Sequence, residues 1–313
     1  MPGVPSTRYA YLGPQGTFAH AALLTLAAAT SGILVPQPTV SAAIEAIRSD
    51  TADAAVVPLE NSIEGSVAST LDELADGAPL VVVREILLPV SFVVATRPET
   101  TPGDIATVAT HPHAEAQCRR WLAAQLPDAA VELVGSTAGA AEAVAAGRYD
   151  AAVCAAVAAD LYRLRPLWTD VADNPGAVTR FVVVARPAPP PHPTGHDRTS
   201  LVAFIRDNHT GALMEVLTEF ATRGINLTRI ESRPTKRRFG QYCFSLDCEG
   251  HVAEPRVGDA LAALRRVCAD VRFLGSYPRA DDGTPVPPPR GRADADFTDA
   301  AAWLARLRDT GDG

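Results

Sequence analysis

Residues 199–234, TSLVAFIRDNHTGALMEVLTEFATRGINLTRIESRP, contain three segments with different hydrophobic patterns. The first, TSLVAFIR, is an apolar run typical of a β-strand, and GALMEVLTEFATRG has the spacing of an amphipathic helix that ends at Gly224. The third, INLTRIESRP, is again of strand type and closes on a proline. This stretch therefore predicts a strand, a helix and a second strand in close succession.

The residues that follow continue the same pattern. They predict a strand, a helix and a last strand in GQYCFSLDCEG (240–250), PRVGDALAALRRVCAD (255–270) and VRFLGSYPR (271–279). The complete order is βαββαβ, which indicates a ferredoxin-like domain over residues 199–279.

Upstream of this domain, residues 187–198 are rich in proline, which predicts an extended linker. Before the linker, short strand-like runs alternate with helical ones, so residues 8–186 are expected to form an α/β domain with largely parallel strands. The apolar run LVVVREILLPVSFVVAT (80–96) has no helix and suggests a crossover into a second lobe, with FVVVAR (181–186) as the return strand. We assign lobe 1 to residues 8–80 plus 178–186, and lobe 2 to residues 81–170. Residues 280–313 form a tail, with a short helix expected at 297–308.

Composition and charge exclude several classes of protein. The formal net charge is −8 and no lysine- or arginine-rich run occurs, which argues against nucleic-acid and membrane-surface binding. Five cysteines without C-x-x-C spacing favour neither a disulfide framework nor a zinc site. Neither a signal peptide nor a spanning helix is recognisable. We expect a cytoplasmic protein without a cofactor.

Three loops that follow predicted strands carry polar residues. In Gly13-Pro14-Gln15-Gly16-Thr17-Phe18 the glycines allow backbone N–H groups to face an anion, although a plain tight turn explains the loop equally well. Glu60, Asn61 and Ser62 end a strand before a helix and could bind a polar ligand, or simply cap the helix.

The third loop, Thr110-His111-Pro112-His113, repeats this arrangement. A metal site at His111, His113 and Glu115 is weakly supported, because the spacing offers no clear further ligand and the proline marks a helix start. We therefore assign no metal.

Two further segments carry polar residues at element ends. Thr179-Arg180 lies where the strand FVVVAR begins, a position at which a threonine is ordinary. In the small domain, Gly211 lies at a helix N-terminus and ESRP (231–234) closes a strand. Capping and an edge-strand proline explain both, and a small-ligand site shared between subunits is the alternative.

Six motifs, taken in order, resemble those of the prephenate dehydratase family with its carboxy-terminal ACT regulatory domain. They are YLGPQGTF, VPLENSIEGSV, THPHAEAQC, TRFVVVAR, GALMEVL and ESRP, and the resemblance runs from about Tyr9 to Arg279. It implies a two-lobed catalytic domain resembling type II periplasmic binding proteins, with prephenate in the cleft. The activity it implies is conversion of prephenate to phenylpyruvate in phenylalanine biosynthesis.

The resemblance also assigns site residues. The implied catalytic residues are Thr179, Arg180, Asn61, Glu60 and Gln117. The implied substrate-binding residues are Gly16, Thr17, Ser62, Thr110, His111 and Phe181. The implied regulatory phenylalanine site comprises Gly211, Ala212, Leu213, Asn226, Leu227, Glu231, Ser232, Arg233 and Pro234. Nothing catalytic is assigned to His113, Ala114 and Glu115, which fall in a stretch that varies in the family.

The reaction that the resemblance implies needs a donor at the departing hydroxyl more than a base, and Thr179 suits that role. Phenylalanine binding is expected to need two subunits, and a dimer through the ACT domains or a tetramer is implied. Two alternatives stay open: arogenate dehydratase, and a non-catalytic two-lobed sensor of amino acids or other solutes.

Overall fold

The structure is a computed structural model that describes residues 6–236 and 241–309. Its strands are β1 (Arg8–Leu12), β2 (Ile33–Gln37), β3 (Ala54–Asn61), β4 (Gly65–Ser66), β5 (Val81–Pro89), β6 (Val93–Thr96), β7 (Thr107–Thr110), β8 (Ala130–Leu133), β9 (Ala151–Cys154), β10 (Arg165–Trp168), β11 (Val178–Ala185), β12 (Asp197–Phe204), β13 (Leu227–Pro234), β14 (Tyr242–Glu249) and β15 (Asp270–Pro278).

The helices are α1 (Phe18–Leu24), α2 (Val40–Arg48), α3 (Ala68–Ala75), α4 (Pro112–Gln125), α5 (Thr137–Ala145), α6 (Ala156–Leu161), α7 (Ala212–Ala221), α8 (Pro255–Val267) and α9 (Asp294–Asp309). Two short 3₁₀ helices cover Ala27–Ser31 and Pro102–Asp104. Within the described ranges, no helix is both long and apolar enough to cross a membrane.

The strands form three sheets. The first has the order β2-β1-β3-β11-β5, with β4 paired to β3, and the second has the order β10-β6-β9-β7-β8. In the first sheet β1 runs parallel to β2 and β3, as expected. The second is mixed, because β6 is antiparallel to both β9 and β10. The third sheet, β13-β14-β12-β15, is antiparallel throughout.

The predicted fold class is confirmed: two sheets with their helices, both of α/β type, precede a ferredoxin-like domain of βαββαβ order. Five elements were not identified from the sequence: β2, α2, β4, α6 and β10. Strand β2 includes a proline and lies at a sheet edge with much of its surface exposed, so it lacks the apolar alternation of a buried strand. Strand β12 begins at Asp197, two residues before the expected start of the ferredoxin-like domain at residue 199.

The tail helix is longer than expected, since α9 covers Asp294–Asp309 and not only 297–308. Gly240, at the start of a predicted strand, and residues 310–313 of the predicted tail lie outside the described residues.

Two compact units make up the chain. The first contains the chain up to Thr70 together with Ile86–Val183, and the second contains Leu71–Glu85 together with the chain from Val184 on. The sequence had suggested lobe 1 or lobe 2 for residues 71–85. Their contacts explain the difference: Asp72 bonds Arg233 at 3.1 Å, and the backbone oxygen of Asp76 accepts from Arg272 at 2.9 Å.

Each unit has apolar cores built from alternating strand positions. In the first unit, one core lies around Phe92, Val94, Val108, Cys118 and Val153, and another is made largely of the alanines of α5, α6 and β9. In the second unit, α7 and α8 pack on the sheet through Phe220, Val216 and Leu264 against Leu201 and Leu246. These cores hold the strand ends from which the polar side chains project.

Candidate active site

Strand β11 carries the Thr-Arg-Phe motif, and its alternation separates the three side chains. Thr179 and Phe181 line a cavity in the first unit, whereas Arg180, between them, is absent from that lining. Successive side chains of a strand point to opposite faces, which accounts for the separation. The Arg180 guanidinium lies 3.9 Å from the Glu60 carboxylate, and its side chain is buried.

Asn61 connects the end of β3 to this strand. Its Nδ2 donates to the Thr179 Oγ1 at 2.9 Å, and its Oδ1 accepts from the backbone N–H groups of Ile63 and Glu64 at 2.8 and 3.0 Å. Because backbone N–H groups only donate, they fix which end of the amide is oxygen. The NH₂ end must therefore face Thr179, and the threonine hydroxyl serves as the acceptor of that bond.

Ser62 ties the same turn to the beginning of β11. Its backbone N–H donates to the Val178 oxygen at 2.9 Å, and its Oγ accepts from the Val178 N–H at 3.0 Å. This pair of bonds fixes the spacing between Asn61 and Thr179. Ser62 does not line the cavity, so its observed contribution is to position its neighbours.

The N-terminus of α4 brings two histidines to the cavity. His111 is the N-cap residue, and its Nδ1 accepts from the His113 N–H at 3.3 Å. With Nδ1 as an acceptor, the neutral ring carries its proton on Nε2. Burial lowers the pKa of His111 below its ordinary value and the nearby His113 lowers it further, while Glu64 acts in the opposite direction. His111 therefore offers a neutral donor at pH 7.

Glu64 and Gln117 meet across the cavity wall. The Glu64 carboxylate accepts from the Gln117 Nε2 at 2.7 Å and from the His113 Nδ1 at 2.8 Å. Gln117 lines the same cavity as Asn61 and Thr179. Sequence reasoning assigned no role to Glu64 or His113, and the only available signal was the position of Glu64 inside the ENSIEG segment.

The cavity has a volume of about 440 Å³. Thr17 also lines it, and so do Gly135 and Ser136, which precede α5. The Thr17 Oγ1 accepts from the His20 N–H and donates to the Leu12 oxygen. Among the described lining residues there is no lysine or arginine. Positive potential can come from the N-terminal ends of α4 and α5.

Five expected residues lie outside the cavity lining: Gly16, Glu60, Ser62, Thr110 and Arg180. The Thr110 side chain is fully buried and its hydroxyl donates to the Val153 oxygen at 3.0 Å. Gly16 has a φ of +92°, and a Cβ there would approach Ala138 and Ala158 at 3.3 Å. A larger residue at position 16 would press on α5 and α6, so the glycine permits close packing.

Among the described residues, no group of three or more potential metal ligands occurs.

The expected phenylalanine-binding residues lie in two elements of the second unit. Gly211, with a φ of +95°, precedes α7, which Ala212 and Leu213 begin. Leu227, Glu231, Ser232, Arg233 and Pro234 belong to the edge strand β13, and Asn226 immediately precedes it. The Arg233 guanidinium forms two hydrogen bonds with the Asp72 carboxylate, each 3.1 Å long.

Comparison with known proteins places this geometry in a family. A family model described as "Prephenate dehydratase" matches residues 9–189, and one described as "ACT domain" matches residues 199–266. The chain belongs to the prephenate dehydratase family. The prephenate dehydratase of Amycolatopsis methanolica is 55% identical over 303 residues, covering 96% of this chain and 98% of that protein. The predicted family is therefore confirmed.

Solved structures of prephenate dehydratase relatives agree with the fold. The Arthrobacter aurescens prephenate dehydratase, solved in complex with L-Phe, superposes with a TM-score of 0.91 at 45% identity, covering 96% of this chain and 99% of that one. GqqA, described as a novel type of quorum quenching acylase, gives a TM-score of 0.79 at 31% identity, covering 87% and 98%. The family fold thus occurs in proteins described by two different activities.

Proposed function

We propose that this chain catalyses the decarboxylating dehydration of prephenate to phenylpyruvate in phenylalanine biosynthesis. The bond between the ring carbon and its carboxylate breaks, CO₂ leaves, and the freed electron pair completes the aromatic ring. The C–O bond at the opposite ring carbon breaks in the same reaction. The departing hydroxide takes up one proton and leaves as water.

The observation that supports this proposal best is the bond from the Asn61 Nδ2 to the Thr179 Oγ1, 2.9 Å long. Because the threonine oxygen accepts that hydrogen, its own hydroxyl hydrogen is available for another acceptor. A donor aimed at a developing hydroxide stabilises it more as the C–O bond lengthens, which is the requirement for transition-state stabilisation. Aromatisation supplies the driving force, so a strong base is unnecessary.

The substrate carboxylates would be held by neutral donors and helix ends. His111, with its proton on Nε2, supplies such a donor, and the N-terminal ends of α4 and α5 add positive potential around the cavity. Phe181, buried in the lining, provides an apolar surface for the ring.

An acylase activity is disfavoured by the state of the candidate nucleophiles. Burial raises the pKa of Cys118 and of Cys154 to about 12, so both thiols stay protonated at neutral pH. The Thr179 hydroxyl receives a hydrogen from an amide, whereas a nucleophilic hydroxyl needs a base that removes its proton. The cavity therefore suits donation from Thr179 better than attack by it.

We also propose that phenylalanine binds the second unit and regulates turnover through a dimer of ACT domains. The proposed site comprises the start of α7 and strand β13, as the sequence suggested. Leu213, Met214 and Ile230 are exposed apolar side chains in these two elements, which supports an interface there. A second subunit would cover them together with the edge strand β13. A tetramer is the further assembly that we propose.

The experiment is an optical assay of phenylpyruvate formation, run in parallel with prephenate and with arogenate. We expect turnover of prephenate. Turnover of arogenate alone would reassign the substrate, and no turnover of either would favour a sensor. Millimolar phenylalanine should change both the rate and the sedimentation coefficient, and no change in either would contradict the regulatory proposal.

A further inference from the structure

Glu64 occupies a turn whose conformation is set by an active-site residue. The turn joins β3 to β4, and the Asn61 Oδ1 holds it by accepting from the backbone N–H groups of Ile63 and Glu64. The same Asn61 donates to Thr179 through its other amide end. The position of the Glu64 side chain is therefore linked to the position of the Thr179 hydroxyl.

The two oxygens of the Glu64 carboxylate each receive one donor from α4. Oε1 accepts from the Gln117 Nε2 at 2.7 Å, and Oε2 accepts from the His113 Nδ1 at 2.8 Å. Residues 113 and 117 lie four positions apart, on one face of the helix. Glu64 therefore contacts α4 through a matched pair of donors, and both of its oxygens are used.

A carboxylate can only accept hydrogen bonds, so Glu64 determines which end of the Gln117 amide faces it. The NH₂ end turns toward Glu64, and the carbonyl Oε1 turns away. That oxygen is buried and has no hydrogen-bond partner among the described residues. Buried side-chain acceptors are usually paired, so one left over beside a cavity indicates an acceptor for a bound molecule.

We infer that Glu64 is a positioning residue, which holds the Gln117 Oε1 as the acceptor for the hydrogen of the substrate's ring hydroxyl. The inference rests on the proposed function. With that hydrogen bound by Gln117, a lone pair of the same hydroxyl faces the Thr179 donor. Each group then donates a hydrogen bond to the next: Asn61 to Thr179, Thr179 to the leaving hydroxyl, that hydroxyl to Gln117, and Gln117 to Glu64. Without Glu64 the amide could reverse and present a donor to that hydrogen.

A double-mutant cycle tests this role in the full-length protein, with prephenate turnover as the readout. Glu64→Ala should lower kcat by about 10- to 100-fold, the range for losing a hydrogen bond to a charged group, with little change in KM. In the Gln117→Ala background the same substitution should have little further effect. Glu64→Gln keeps one acceptor but also permits the reversed amide, so its kcat should fall between those of the wild type and Glu64→Ala.

The matched control is Glu115→Ala, which removes a carboxylate of the same helix that bonds Arg119 and lies outside the cavity lining. It should leave kcat and KM unchanged. Equal losses for Glu64→Ala in both backgrounds, a change confined to KM, or wild-type kinetics would each overturn the positioning role while leaving the proposed function intact. Absence of turnover in the wild type would instead refute the proposed function itself.

Discussion

Buried polar side chains in two regions are chemically similar but differently paired. In the sheet of the second unit, Thr199 bonds Ser276 at 2.7 Å and the Gly250 oxygen at 2.8 Å. Ser200 bonds Asp247 at 2.7 Å and Tyr277 at 2.5 Å. The side chains of Thr199, Ser200, Asp247, Ser276 and Tyr277 are buried, and their hydroxyls and carboxylate bond one another.

In the cavity of the first unit, the corresponding groups retain a donor and an acceptor that are not used in hydrogen bonds between described residues. The Thr179 hydroxyl accepts from Asn61 and retains its own hydrogen, and the Gln117 Oε1 has no partner among the described residues. The comparison shows that burial and polarity alone do not distinguish a site from a structural network. The distinction lies in whether each donor and acceptor is already matched.

The largest expected effect is a loss of stability when the buried hydrogen-bonded side chains of the second unit's sheet are disrupted. Asp247→Ala removes the carboxylate that the buried Arg229 faces at 2.9 Å, so the free energy of unfolding should fall by about 3–5 kcal/mol. Urea denaturation measures the change. Asp259→Ala, which removes the partly exposed partner of Arg223, is the control and should cost at most about 1 kcal/mol. An equal loss of unfolding free energy in the two variants would show that the buried carboxylate contributes no more than the exposed one.

The next largest expected effect is the fall in kcat when the Thr179 hydroxyl is removed. Thr179→Val keeps the shape but removes the hydroxyl, so kcat should fall by a factor of about 10²–10³ with the fold retained. Thr179→Ser should keep a measurable share of turnover. The assay is initial-rate phenylpyruvate formation, with circular dichroism to verify folding. Near-wild-type turnover of Thr179→Val would refute the assigned donor.

A near-isosteric change at Asn61 tests the direction of the hydrogen bond. Asn61→Asp keeps the oxygen that accepts from Ile63 and Glu64 but replaces the NH₂ with a second acceptor. The Thr179 hydroxyl would then donate to the new carboxylate and turn away from the substrate. We expect kcat to fall by about 10², close to the effect of losing the donor. An unchanged kcat would show that the direction of this bond is unimportant.

The smallest effect concerns pH. Burial lowers the pKa of His20, whose Nδ1 accepts from the Gly16 N–H at 3.2 Å. The unfolded chain therefore binds a proton more readily, and stability should decline as pH falls from about 6.5 through the lowered folded pKa. His20→Phe retains a ring beside Tyr11 and should show a shallower decline between pH 7 and 5. Identical slopes in urea titrations would exclude His20 as a cause.

Much of this could be predicted from the sequence. The βαββαβ order followed from the hydrophobic pattern, because α7 and α8 are amphipathic, β13 alternates, and β12 and β14 are continuous buried runs. The polar strand ends at Asn61 and Thr179 were also recognisable, although their roles came from family resemblance. Strand β2, in contrast, is an exposed edge strand without the usual alternation.

The partners of individual side chains could not be predicted. Glu64 reads as an ordinary turn residue, and its bond to Gln117 joins positions 53 residues apart, a separation on which hydrophobic periodicity carries no information. The alternation of β11 could have shown that Arg180 points away from Thr179, since adjacent strand residues face opposite sides. Residues 71–85 join the second unit through ion pairs such as Asp72–Arg233 that no local pattern encodes.

That last segment limits how the protein can be divided. The Glu85 side chain is fully buried and accepts from Arg198, in β12, and from the Ala280 N–H, after β15. A gene truncated at the linker would encode Glu85 without either donor, and an unpaired buried carboxylate is costly. We therefore expect a fragment that ends before β12 to be less stable than the same residues in the full chain, and an exchange of the regulatory module to succeed better when residues 71–85 are transferred with it.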